Sequence, residues 1–469
     1  MTALTTPTRH RDCPQSGQAL PLVLGVILVF GIAIVGVLSV SGASGRDAKR
    51  ENASNAALSA AEAGVASALS VLANSTRPLL ATALPSSASP QVDAAGDGTV
   101  SWYGTLSGDT WTVTATSSVP NPAGGGALSR TVSVDARVGS TAMNPAWNYL
   151  YADASGCLTL GSSVQVTEPL YSRGSLCLNN SSRVTGSPVH VEGTIQTTSS
   201  ASVGSSGSPI AELHVAGGCR YGTSGAFSTP CSAAQQVYAT SQDAIPAGVK
   251  KPPVDLDFWY AGAKPGPSQS CTSGSFPGGF DTDTTLNRSR ANVDLFPGTS
   301  YDCTVVVGGA QLGRIAWTAG NPGSFVIDGI VFFDGNIDMS SSSKVLYAGR
   351  GTIYASGYVA LAGSMQICGA WSGSCDFTSW NPSASMLALV AGSSTDTPGF
   401  SVAQSAQFQG GIYAVGDYLQ GSSAKVQGPK IADALTLAGS SQATWIPYTN
   451  LPPGAPMDTP VVVTPGWRG

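Results

Sequence analysis

Charge is scarce in this chain of 469 residues: Asp, Glu, Lys and Arg make up 10% of it, against about 25% in an ordinary soluble domain. Lys and Arg number 22 against 27 Asp and Glu, for a formal net charge of −5. No basic run forms a polyanion groove, so no nucleic-acid partner is expected. Three His (His10, His190, His214) leave little material for imidazole chemistry or a metal centre. No nucleophile elbow, HExxH, P-loop or dinucleotide fingerprint occurs, and no CxxC pair. The expectation is therefore no cofactor, no metal and no catalytic residue. Hydrophobic residues at 42% exclude a disordered, solvated chain.

What is present begins with an apolar run. No charged residue occurs over the 33 positions from Cys13 to Gly45, and about 20 such residues span a bilayer. A secretory signal is shorter and ends in a loop. Here the run passes without Pro into an Ala-rich stretch, Arg46–Ala73. There Ala53, Ala57, Ala60, Gly64, Ala68 and Leu72 recur at steps of three and four, with Leu58, Val65 and Leu69 widening the stripe. One continuous helix is expected from about Pro21 to Ala73. Gly25, Gly31 and Gly36 inside it permit close helix–helix approach in lipid.

Arg9 and Arg11, then Gln15-Ser16-Gly17, Gln18-Ala19-Leu20, the apolar run and Ala60-Ala61-Glu62-Ala63-Gly64 together resemble the amino-terminal part of type IV pilin-like proteins, specifically PilX-type minor pilins. The resemblance covers about 60 residues of the chain. It implies a basic leader over 1–17, cleavage by prepilin peptidase between Gly17 and Gln18, and an assembly helix that includes Leu22, Gly25, Gly31, Gly36 and Glu62. The family's usual Glu at the fifth mature position is Leu22 here, as in some minor or tip pilins. Other pilin subunits or assembly proteins are the implied partners. The implied location is the inner membrane, crossed once, with the amino terminus cytoplasmic and the bulk of the chain outside. An ordinary uncleaved anchor helix is the alternative.

Beyond the helix (18–75) the expected fold is mainly β. Residues 76–145 carry three alternating runs, Thr99–Thr105, Thr110–Thr116 and Ser129–Val138, which read as a small antiparallel meander with Trp102 and Trp111 as packing residues. From 146 to 447 very short strands cut by Gly, Ser and Asn repeat. The block at 169–174 lines up with 188–193 at an offset of 19, 332–337 with 354–359 at 22, and 351–364 with 410–423 at 59, which reads as about three periods. Such periods predict a β-solenoid, right-handed β-helix-like, with a stacked β-sandwich as the alternative. A loop-rich insertion is expected at about 219–325, and a Pro-rich extended tail over 448–469.

Cys13 falls in the leader. The other eight, Cys157, Cys177, Cys219, Cys231, Cys271, Cys303, Cys368 and Cys375, read as disulfides of an oxidising compartment. Pairing in chain order is favoured, since Cys157 and Cys177 stand 20 residues apart, close to one coil. Asp328, Asp334 and Asp338 are the best acid cluster for polysaccharide chemistry, but read better as turn and surface residues. Asp281 and Asp283 read better as a solvated loop than as Ca²⁺ ligands, and Trp371 and Trp380 better as packing than as sugar platforms. The function expected is a surface-displayed minor pilin-like protein acting in assembly, adhesion or scaffolding, with surface glycans as candidate ligands. A tethered β-helix carbohydrate-active enzyme, or an envelope scaffold outside any filament, is the alternative.

Overall fold

The computed structural model describes residues 19–75, 82–107, 110–139, 143–243, 248–266, 269–288, 290–307, 310–339, 342–457, 461–463 and 467–468. The chain divides into two compact units, 1–139 with 461–469, and 140–460. By chain order, the second unit is an insertion into the first.

In the first unit a single helix, α1 (Ala19–Asn74), runs unbroken for 56 residues, about 84 Å at 1.5 Å per residue. Alanine favours it and proline does not interrupt it. Its distal half buries Ala57, Ala61, Val65, Ala68 and Leu72. They pack on the inner face of an antiparallel sheet, β1 (Gln91–Ala95), β2 (Gly98–Ser107), β3 (Thr110–Pro120) and β4 (Ala127–Gly139). That face presents Val100, Trp102, Trp111, Val113, Ala115, Val132, Val134, Ala136 and Val138, each large apolar side chain contributing roughly 1.5–3 kcal/mol by leaving water. The Ser117 hydroxyl donates to the Ala57 carbonyl at 2.6 Å across the buried interface. Leu58, on the stripe's flank, is exposed instead. Val461–Val463 pairs antiparallel with β4, so the last residues close this sheet.

The second unit is a solenoid of short parallel strands forming sheets of twenty and ten strands. Its core takes one or two apolar side chains from each strand, such as Leu158 and Leu160, then Leu176 and Leu178, then Ile195. The path is permuted. The chain enters in the middle, at Leu150–Ala152, and winds outward through Leu170–Ser172, Val189–Val191 and Ile210–Val215 to Ala239–Asp243. It resumes at the opposite end with antiparallel strands Ser270–Ser273, Tyr301–Val307 and Ala310–Thr318. From Gly323–Phe333 it descends in parallel through Lys344–Ala355, Met386–Ala391 and Gly411–Ala414 to Lys430–Ala432. That last strand pairs with Leu150–Ala152, where the chain came in.

The 19- and 22-residue offsets are both registers of the stack: Tyr171 lies opposite His190 and Phe332 opposite Tyr354. Other expectations shift. The 59-residue offset spans two coils, not three: Gly351 faces Leu387, and Ala388 faces Gly411. The coil between them is lengthened by an excursion bridged by Cys368–Cys375. The stretch read as a loop-rich insertion holds the strands that build one end of the solenoid, together with a short helix, Leu256–Ala263.

Candidate functional site

Two surfaces carry the weight of a functional reading: the bare stem of α1 and the outside of the solenoid. On the stem, thirteen large apolar side chains between Val23 and Val40 are 46–68% exposed, far beyond the apolar patch a soluble protein leaves uncovered. The helix is long and apolar enough to cross a membrane, and none of its most apolar window is buried among the described residues. Gly25, Gly31 and Gly36 open onto free space. Leu22 lies in the first turns, and Glu62 is exposed on the distal half. Gly17 and Gln18, the expected processing site, lie outside the described residues. Gly64 has a different role: a Cβ there would stand 2.6 Å from Val100 Cγ2 and 3.1 Å from Ala115 Cβ, so it lets the helix meet the sheet.

On the solenoid, the acid candidates do not converge. Asp334 is fully buried; its carboxylate accepts from the backbone N–H groups of Asn287 and Arg288 at 3.0 and 2.9 Å and from the Ser356 hydroxyl at 2.7 Å. Asp338 accepts from the Asn292 amide at 3.1 Å, and Asp328 is exposed in the strand before them. Asp281 accepts from the Asp283 backbone N–H at 2.9 Å. Among the described residues no three His, Cys, Asp or Glu side chains gather as a metal site. Trp380 is buried, its indole donating to the Ser385 carbonyl at 2.9 Å, while Trp371 is half-buried. Trp102 donates to Asp93 at 2.7 Å, and Trp111 is core. The disulfides are Cys157–Cys177, Cys219–Cys231, Cys271–Cys303 and Cys368–Cys375. Their order is that of the chain; the first clips two adjacent coils.

Two features had no signal along the sequence. One outer face stacks aromatic rings from coil to coil: Phe332 on Tyr354, Tyr151 on Tyr171, His190 on His214. The chain covers this face itself. Trp259 stacks on Tyr354, and the Tyr151 and Tyr413 hydroxyls donate to the carbonyls of Val249 and Pro252. His190 is buried, 3.4 Å from the Tyr149 hydroxyl, with its Nδ1 unpaired. Burial, then the neighbouring His214, pushes its pKa down to about 4. The second feature is an ion pair, Lys430 Nζ to Glu168 Oε1 at 2.7 Å, with both side chains wholly buried. It bridges the last descending coil and the first outgoing one. Burial pushes the Glu168 carboxyl up to about 7 against the pull of Lys430.

No family model matches the chain, and no curated protein matches it. Among solved structures it is similar to the competence-associated pilin ComZ from Thermus thermophilus, at 14% identity and a TM-score of 0.44, over 88% of this chain and 97% of that one.

Proposed function

We propose that this chain is a membrane-anchored minor pilin-like subunit, of the PilX type, that carries a β-solenoid as a displayed domain. The observation that carries this reading is the division of α1. One half is packed face-down on an antiparallel sheet, and the other is a bare apolar stem in the same unbroken helix. A tether alone needs about 20 apolar residues and no rigid continuation. A filament subunit needs both: a stem that sits in the inner membrane before assembly and packs against neighbouring stems afterwards, and a head held fixed on it. In this reading prepilin peptidase cuts after Gly17, the small residues Gly25, Gly31 and Gly36 admit neighbouring helices closely, and the bulk of the chain faces outward for adhesion or scaffolding. The role is not catalytic, a reading supported by the way Asp334 and Asp338 are engaged in holding neighbouring segments.

Two measurements test it in cells that carry the peptidase. Sequencing the mature protein should find Gln18 at the amino terminus, and sheared surface filaments should contain a tagged copy. An intact leader, with all of the protein left in the membrane after shearing, sinks the filament reading and leaves an anchored envelope protein.

A further inference from the structure

One solvent-facing column of the solenoid has a regular chemistry. Following the register of the parallel pairs, Lys344 lies opposite Gln366, Gln366 opposite Gln407, Gln407 opposite Lys425, Lys425 opposite Gln442, Gln442 opposite Gln165, and Gln165 opposite Arg183. The order is cation, two amides, cation, two amides, cation. With neighbouring strands about 4.8 Å apart, the seven rungs span about 29 Å and the cations recur about every 14 Å. Lys344, Gln165 and Arg183 are exposed, and the other four are half-buried. None of the seven side chains has a hydrogen-bond or ion-pair partner among the described residues. In a chain of net charge −5, three unpaired cations in line on one face are a concentrated feature.

Apart from one carboxylate, Asp376, the flanks are neutral. The corner before six of the seven rungs is Gly or a small polar residue with a left-handed backbone, at Gly363, Ser405, Ser423, Ser440, Ser163 and Asn180. Two residues past the rungs stand Leu346, Cys368, Gln409, Gln427, Thr444, Thr167 and Thr185. The carboxylate of Asp376, on the excursion that lies over Gln409, is occupied by the hydroxyls of Ser379 and Thr378 at 2.6 and 2.7 Å.

From this we infer that the column is a binding track for an extended, linear, sparsely acidic glycan running along the solenoid axis. Each rung is comparable in length to one sugar residue. Glutamine both donates and accepts, as sugar hydroxyls do, and each cation meets a carboxylate once in about three sugars. A nucleic acid fits poorly: it carries a charge about every 3.4 Å of each strand, several times the density of the track. The inference rests on reading the solenoid as a displayed binding domain and names its ligand class.

The test uses the full chain, purified in detergent, and polygalacturonate at three degrees of methyl esterification. Chains with roughly one free carboxylate in three, matching the rung spacing, should bind at least as tightly as fully de-esterified ones, and fully esterified chains should not bind. This comparison needs no variant. Replacing Lys344, Lys425 and Arg183 together by Gln should weaken binding by about tenfold or more. The pair Gln366→Ala and Gln407→Ala should weaken it several-fold with every charge retained. Melting temperatures matched to the parent separate lost contacts from lost folding. Absence of binding by the parent, tighter binding of an oligothymidylate of equal length, or affinity untouched by the triple change each overturns the inference. Filament shearing reads none of these, so the minor-pilin reading stands or falls separately.

Discussion

At the scale of single residues, the most consequential pair is Glu168 and Lys430. Taking two charges out of water costs several kcal/mol per ion, and their attraction offsets this only while both are present. Glu168→Gln leaves a buried ammonium without its counter-charge and should destabilise the solenoid by about 3–5 kcal/mol, whereas Glu168→Leu combined with Lys430→Met should be neutral or stabilising. Denaturant midpoints of Glu168→Gln and of the double variant check this, and adding the single variants Glu168→Leu and Lys430→Met closes a mutant cycle. His190 gives the pH dependence. Its folded pKa, about 4, lies below the unfolded value near 6.5. The folded state therefore binds fewer protons between these values, and stability that is full above pH 6.5 is lost as pH falls toward 4. The ring faces the Tyr149 hydroxyl, Tyr171 and the ring of His214, none of which supplies a counter-charge. A His190→Phe variant should melt with a shallower decline over that window than the parent; an unchanged slope would place the acid sensitivity elsewhere.

Elements differ in how plainly the chain announces them. The helix is legible because small residues recur at steps of three and four, and the structure shows what the smallness is for: Gly64 lies under Val100 and Ala115. Gly64→Val should overpack this joint and cost about 1–3 kcal/mol, read as a lower melting temperature and faster proteolysis of the head sheet. Wild-type stability would mean that the sheet moves away freely. The β meander and the 22-residue repeat are equally legible, since both rest on neighbours close in sequence. The cysteines pair in chain order because each bridge joins segments already adjacent on a coil or hairpin. Legibility fails where spacing is uneven. The excursion after Cys368 stretches one coil, so two coils imitate three. The basic track is hidden for the same reason, although five of its seven rungs close a short motif, a corner Ser or Asn followed after one or two residues by Gln, Lys or Arg, as in Ser163-Val164-Gln165 and Ser423-Ala424-Lys425.

Across the whole solenoid, what no local pattern encodes is the seam. Leu150 lies opposite Lys430 and Gln165 opposite Gln442, so the two halves of one continuous stack come from opposite ends of the inserted segment. Ladder pairing and core filling at the seam match those inside either half: Val166 and Ala443 are fully buried there, as Val426 and Val184 are one rung away. In the native state it is therefore an ordinary rung, crossed by the buried ion pair. In folding it is not. Coils within a half meet across loops of about 20 residues, and closing a loop grows costlier with its length. The seam must also wait until both halves present finished edges, since nearest-neighbour stacking gives an unmatched strand nothing to add to. With disulfides intact, pulse-labelled hydrogen exchange during refolding should show protection rising first within Gly323–Ala414 and within Leu158–Val191. Protection of Leu150–Ala152 and Lys430–Ala432 should come last, although at equilibrium these amides are as protected as their neighbours. Seam amides protected together with the interior coils would mean that the halves zip from the middle outward, with Glu168 and Lys430 at the nucleus.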